Sequence, residues 1–141
     1  MGYQLSWLLE NRILLIRYQG TVTLKDLETY LPETARMRDQ ANVALGSNGP
    51  LVHTITDASQ MEKNAISLPE ALQATRLTVT SQQRVGWSVY ISAGVIDRFF
   101  STAGHQLAGV RYRAVDSIDE AVAFLKSVDD TLSDFVLPPA S

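Results

Sequence analysis

The sequence contains no cysteine. That absence removes disulfides, thiolate metal ligands and cysteine nucleophiles together. It fits a reducing compartment, and the chain is expected to be cytoplasmic. Long apolar runs are missing as well. The densest is Ile13–Ile16, bounded by Arg12 and Arg17, far short of the roughly 20 apolar residues that span a bilayer. Residues 1–4 show no basic stretch leading into an apolar core, so no signal peptide is expected. Gly2 and Ser6 fit a loose myristoylation pattern, but one acyl chain gives only marginal membrane binding.

Chemistry-bearing patterns are scarce too. The two histidines, His53 and His105, offer neither His-x-x-x-His nor Glu-x-x-His spacing. No metal and no cofactor is expected. Gly94, Gly104 and Gly109 are too far apart for a phosphate loop, lysines are few, and no Gly-x-Ser-x-Gly elbow occurs. The expectation is a protein that is not an enzyme, with no catalytic residues. The net charge of −3 gives no electrostatic reason to bind nucleic acid. Residues 116–141 hold six acids against one base, which reads first as a solvated last helix and otherwise as a match for a basic partner surface.

What is present is a complete α/β pattern. The chain has 141 residues and 45% hydrophobic content, enough for one domain with its own core. Residues 3–10 read as a strand, Glu10-Asn11-Arg12 as a polar break, and Ile13–Tyr18 as a second strand. The short break implies an antiparallel hairpin. Four consecutive aliphatics imply burial on both faces, so the second strand should be central.

A helix should begin at Thr23, with Asp26 completing a variant capping box. Leu24, Leu27, Leu31 and Ala35 give it a buried stripe, and Pro32 should kink or divide it. After the loop at Gly46–Pro50 comes a third strand, Leu51–Thr56, ending at Asp57-Ala58-Ser59. Ser67-Leu68-Pro69-Glu70 is a capping box for a second helix. A fourth strand, Val85–Ser92, precedes an amphipathic third helix built on Val95, Ile96, Phe99, Phe100, Ala103 and Leu107. Tyr112–Val115 is a short fifth strand. Ser117-Ile118-Asp119-Glu120 caps a last helix with the stripe Ile118, Ala121, Val122, Leu125 and Val128. The apolar tail, residues 133–141, is too Pro-rich for a long helix.

The order is β-β-α-β-α-β-α-β-α over a single domain, 1–141. It predicts a mixed, mostly parallel five-stranded sheet with right-handed crossovers. Together with the strand ending at Gly20 before Thr23, the third strand ending at Asp57, and the closing helix Ser117–Leu125, this order resembles the STAS-like family. These are small uncharacterised bacterial proteins related to anti-sigma-factor antagonists, and the likeness runs over roughly residues 3–132. The resemblance implies the STAS-like fold and a regulatory, protein-binding role. It also implies a phosphorylatable serine at the start of the second helix, where free N–H groups and the helix dipole favour a phosphate. Ser67 stands there, but without the family's Asp-Ser-Ser-Gly setting, and as a helix cap it has a structural use of its own.

Two further groups are candidates for binding. Asp57 and Ser59 sit at a strand C-terminal end, where α/β sheets commonly hold ligands, although both residue types also build turns. Trp87, Tyr90, Phe99 and Phe100 cluster in one β-α-β unit. They form either plain core or a pocket for a small, lipid-like apolar ligand. The leading expectation is a non-enzymatic interaction module that binds another protein or itself. A homodimer would bury the apolar tail after Phe135. The alternatives are a carrier or sensor of a hydrophobic ligand, and an antagonist switched at Ser67.

Overall fold

The structure, a computed structural model, describes residues 2–46, 48–64, 86–91 and 111–137. Within them the elements are β1 (Tyr3–Leu9), β2 (Ile13–Val22), α1 (Leu24–Leu45), β3 (His53–Asn64), β4 (Ser88–Ile91), β5 (Tyr112–Val115), α2 (Ile118–Val128) and a 3-10 turn (Asp130–Leu132). The predicted second and third helices, and with them Ser67, Phe99, Phe100 and His105, lie outside the described residues.

The five strands form one sheet in the order β1-β2-β3-β4-β5. β1 pairs antiparallel with β2, and the other three pairings are parallel. The hairpin turn closes through Arg12 N–H donating to the Leu9 carbonyl (2.9 Å). Asn11 takes φ +63°, a left-handed conformation that Asn tolerates better than most residues. β2 is interior, as its aliphatic run requires, and Ile13, Leu14, Leu15 and Ile16 are all buried.

The alternation of side chains along β2 feeds two cores. Ile13 and Leu15 join Ile55, Val89 and Ile91 beneath Ala121, Val122 and Leu125 of α2. Ile16, Tyr18 and Val22 point the other way, against Leu27 and Tyr30 of α1. Helices therefore cover both faces of the sheet. The hydroxyls of Tyr18 and Tyr30 are hydrogen-bonded to each other within the α1 core.

Both described helices start where the side-chain caps predict. Thr23 Oγ1 accepts from Asp26 N–H (3.3 Å), and Asp26 Oδ2 accepts from Thr23 N–H (3.0 Å). At α2, Ser117 Oγ accepts from Glu120 N–H (3.1 Å), while Glu120 reaches one residue further back, to Asp116 N–H (2.9 Å). The buried stripe of α2 is Ala121, Val122 and Leu125; Val128 is 43% exposed.

Pro32 does not divide α1, which runs unbroken from Leu24 to Leu45. The carbonyl deprived of its donor is that of Glu28, and Glu28 and Pro32 are both exposed, so water can replace the lost bond. The third strand does not end at Asp57 but continues to Asn64. β2 extends equally far, to Val22, and two register shifts let β3 carry extra residues beside it. The apolar tail finds cover within its own chain. Phe135 and Leu137 pack against the α2-side core, and Lys126 Nζ donates to the Phe135 carbonyl (2.8 Å). Val136 alone of the three is well exposed.

Candidate functional site

The parallel strands begin at one end of the sheet, and a polar cluster gathers there. Arg12 precedes β2, His53 opens β3, Trp87 precedes β4, and Asp129 follows α2. His53 Nε2 lies 2.8 Å from Asp129 Oδ2. The same carboxylate oxygen accepts from an Arg12 terminal nitrogen at 2.9 Å. That guanidinium also donates to Thr131 Oγ1 (2.7 Å). Thr131 returns its backbone N–H (3.0 Å) and its hydroxyl (2.5 Å) to Asp129 Oδ1.

A His–Asp pair suggests a general base, but the other ring nitrogen decides otherwise. His53 Nδ1 accepts the backbone N–H of Trp87 at 2.9 Å. A backbone N–H can only donate, so Nδ1 carries no proton and Nε2–H points at Asp129. Both nitrogens are occupied and the residue is 2% exposed. A base needs a free lone pair within reach of substrate, and His53 has none. Burial pushes its pKa below the ordinary value. The hydrogen bond and charge of Asp129 oppose that shift, and Arg12 and Arg111 add to it. Asp129 itself is held below the usual carboxylate range. Desolvation works against that, but the hydrogen bonds from Thr131 and His53 outweigh it. The cluster ties four separate chain segments together at the strands' N-terminal ends, opposite to where α/β sheets bind ligands.

Gly86 makes this arrangement possible. A Cβ there would lie 2.4 Å from His53 Nδ1 and 2.6 Å from the Val52 carbonyl oxygen. Asp129 is the member that the sequence concealed. It stands in an acidic stretch, and nothing local marks it as the partner of a histidine 76 positions away. The one available signal was His53 itself, flanked by aliphatics in a strand and so in need of a polar partner on burial.

Asp57 and Ser59 flank Ala58 inside β3, not at a strand end. Asp57 Oδ1 accepts from Ser59 N–H at 2.9 Å, at the point where β3 slips register against β2 between Arg17 and Gln19. The bond stabilises a β-bulge. Arg17 Nε stands 3.7 Å from Asp57 Oδ2, with the arginine largely exposed. Trp87 and Tyr90 are not brought together. Trp87 packs on the α2-side core, with its ring edge-on to Phe124 at 4.9 Å and the Arg111 guanidinium 5.2 Å from its centroid. Val89 and Ile91 point to that same side, so strand alternation puts Tyr90 on the opposite face.

The remaining feature is an open edge. Among the described residues no strand pairs with the outer side of β1. Gln19 N–H donates to the Gly2 carbonyl at 2.9 Å. In the antiparallel alternation Gly2, Gln4 and Ser6 therefore point their backbone groups inward to β2, while Tyr3, Leu5 and Trp7 point theirs outward. β1 contains neither a charged residue nor a proline. Beside it runs an open groove between β1 and α1, lined by Tyr3, Leu5, Thr29, Glu33 and Met37 among others. Among the described residues no group of three or more acidic or histidine side chains could hold a metal, and no helix is long and apolar enough to cross a membrane.

No protein-family model and no curated protein matches this sequence. Solved structures do match. One is the crystal structure of an uncharacterised protein from the DUF3478 family with a SpoIIAA-like fold, from Shewanella loihica PV-4. It is 14% identical with a TM-score of 0.52, over 87% of this chain and 91% of that one. Another is the anti-sigma factor antagonist SpoIIAA in its unphosphorylated form. It is 12% identical with a TM-score of 0.53, over 88% of this chain and 97% of that one. The chain has this SpoIIAA-like, STAS-like α/β fold. Likeness at such identity is one of fold.

Proposed function

We propose that the chain is a non-enzymatic regulatory module that works by protein–protein contact, and that its first partner is a second copy of itself, joined through β1. The observation that carries this reading is the uncharged, outward-facing edge of β1. Sheet edges are commonly blunted by charge, proline or cover because an open ladder recruits another strand. Residues 3–9 carry no charge to repel an identical strand. Antiparallel pairing of two copies centred on Leu5 sets Leu5 opposite Leu5, Tyr3 opposite Trp7 and Gln4 opposite Ser6, so apolar residues meet apolar residues. Such a contact is isologous and closes as a two-fold dimer, giving one sheet of ten strands. The SpoIIAA-like fold supports a protein-binding role in general terms. The packing of Phe135 and Leu137 on their own chain moves the case for a dimer from the tail to β1.

Sedimentation equilibrium of the wild type and of Ser6→Lys tests this. Ser6 is exposed, and a lysine there sets like charges near each other across the two-fold. A dimer in the wild type and a monomer for Ser6→Lys is the expected result. A wild type that stays monomeric at high concentration, or a dimer indifferent to Ser6→Lys, removes the β1 contact.

A further inference from the structure

The two edges of the sheet differ in charge. β1 has no charged residue, whereas β5, the strand at the other end of the order, contains Arg113 and is preceded by Arg111. Both arginines are exposed, yet each is laid against an aromatic ring. The Arg111 guanidinium lies 5.2 Å from the centroid of Trp87, and the Arg113 guanidinium 5.2 Å from the centroid of Phe124. The two rings meet edge to face with their centroids 4.9 Å apart. Arg111, Trp87, Phe124 and Arg113 therefore form one continuous cluster on the α2 face of the sheet. Among the described residues no carboxylate pairs with either arginine.

A ring beneath a guanidinium occupies one face of its plane and leaves the N–H groups, which lie in that plane, free to donate. The ring also holds the side chain in place, which lowers the entropy lost when an anion binds. Arg111 and Arg113 are alternate residues on one face, about 6.6 Å apart along the chain. That is the spacing of alternate side chains on any neighbouring strand. The backbone is ready for such a neighbour. The Arg111 carbonyl accepts Ser88 N–H at 2.9 Å, so the ladder turns Arg111 and Arg113 towards β4 and leaves the backbone groups of Tyr112 and Ala114 facing outward. Among the described residues no strand pairs with that outer side. The arginines set like charges against an identical strand, so this edge disfavours a second copy and favours a strand of opposite charge.

We infer that the β5 edge is the docking site for an extended acidic segment of another protein, which adds to the sheet beside β5 and places carboxylates at two alternate positions against Arg111 and Arg113. The planar fork of each guanidinium grips both oxygens of one carboxylate. Main-chain bonds to Tyr112 and Ala114 supply sequence-independent affinity, and the arginines supply the choice of sequence. The acids must stop short of the C-terminal end of β5, because Asp116, Asp119 and Glu120 follow Val115 there. The site lies at the opposite edge of the sheet from β1 and does not depend on self-association.

Fluorescence anisotropy tests it, with a short labelled peptide of alternating Thr and Glu as the probe and its isomer, with all the Glu residues in one block, as the reference. The alternating peptide should bind the wild type saturably, and the block isomer at least about tenfold more weakly, because only alternation puts the carboxylates on one face. Arg111→Gln and Arg113→Gln should each raise Kd at least about tenfold. Both side chains are exposed, so these variants should melt as the wild type does. Ala114→Pro keeps both arginines but removes an outward N–H, which an edge strand can lose without breaking its own ladder; it should weaken binding to a similar degree. No binding of the alternating peptide, equal binding of the block isomer, or an unchanged Kd in the arginine or proline variants overturns the inference. Tighter binding of an oligothymidylate through the same arginines also overturns it, in favour of a phosphate backbone. Ser6→Lys should bind the peptide as the wild type does, so failure here is separable from failure of the β1 contact.

Discussion

The backbone N–H of Trp87 donates to Nδ1 of His53 at 2.9 Å, and this one bond fixes a neutral imidazole with its proton on Nε2, facing Asp129. Protonating Nδ1 would set one N–H against another in a buried site. The folded state therefore binds that proton less readily than the unfolded chain does, consistent with the lowered pKa of His53. The sign follows from linkage. The stability contributed by neutral His53 is complete above the ordinary histidine pKa. Below it, stability falls by about 1.4 kcal/mol per pH unit until the depressed folded pKa is reached. Tm measured from pH 8 to pH 5 should decline on the acid side in the wild type and decline less in His53→Gln. Equal slopes in both would show that His53 does not titrate this way.

Asp129 should be the costliest member of the cluster to remove. Asp129→Ala leaves the largely buried Arg12 without its anion and His53 Nε2 without its acceptor, a loss of about 3 kcal/mol. Asp129→Asn keeps an acceptor and should cost less. Urea unfolding compares them, and a loss below 1 kcal/mol for Asp129→Ala would mean that water replaces the carboxylate freely.

At Gly86 the limit is steric. A Cβ 2.4 Å from His53 Nδ1 forces the ring or the strand entrance to move, at about 2 kcal/mol. Gly86→Ala should lower the urea midpoint and shift Trp87 emission to the red. A variant as stable as the wild type would show that the entrance yields cheaply.

Much of this fold could be read from local chemistry. Thr23 with Asp26, and Ser117 with Glu120, marked both described helix starts because a cap is a short-range signal. The aliphatics of β2 marked an interior strand for the same kind of reason. The site was less legible. Pairing of His53 with Asp129 depends on how α2 returns along the sheet, which no local pattern encodes. Asp57 looked like a strand end because Asp favours turns, yet the long partner β2 carries β3 past it through a bulge. The sequence grouped Trp87 with Tyr90 by proximity, and strand alternation separates them onto two faces.

Pro32 offers an independent check on α1. Replacing it with alanine restores an N–H for the Glu28 carbonyl without disturbing the buried stripe. The gain in helix propensity outweighs the extra freedom of the unfolded chain, so Pro32→Ala should stabilise the protein by about 1–2 kcal/mol in urea unfolding. A destabilised variant would mean that the proline shapes a contact α1 needs.

The β1 contact is tested most directly by hydrogen exchange of individual amides at low and high protein concentration. The Gln4 and Ser6 amides face β2 and should be protected at both. The Leu5 and Trp7 amides face outward, and the account predicts fast exchange when dilute and clear protection when concentrated. If Leu5 and Trp7 exchange equally fast at every concentration, β1 does not join two copies.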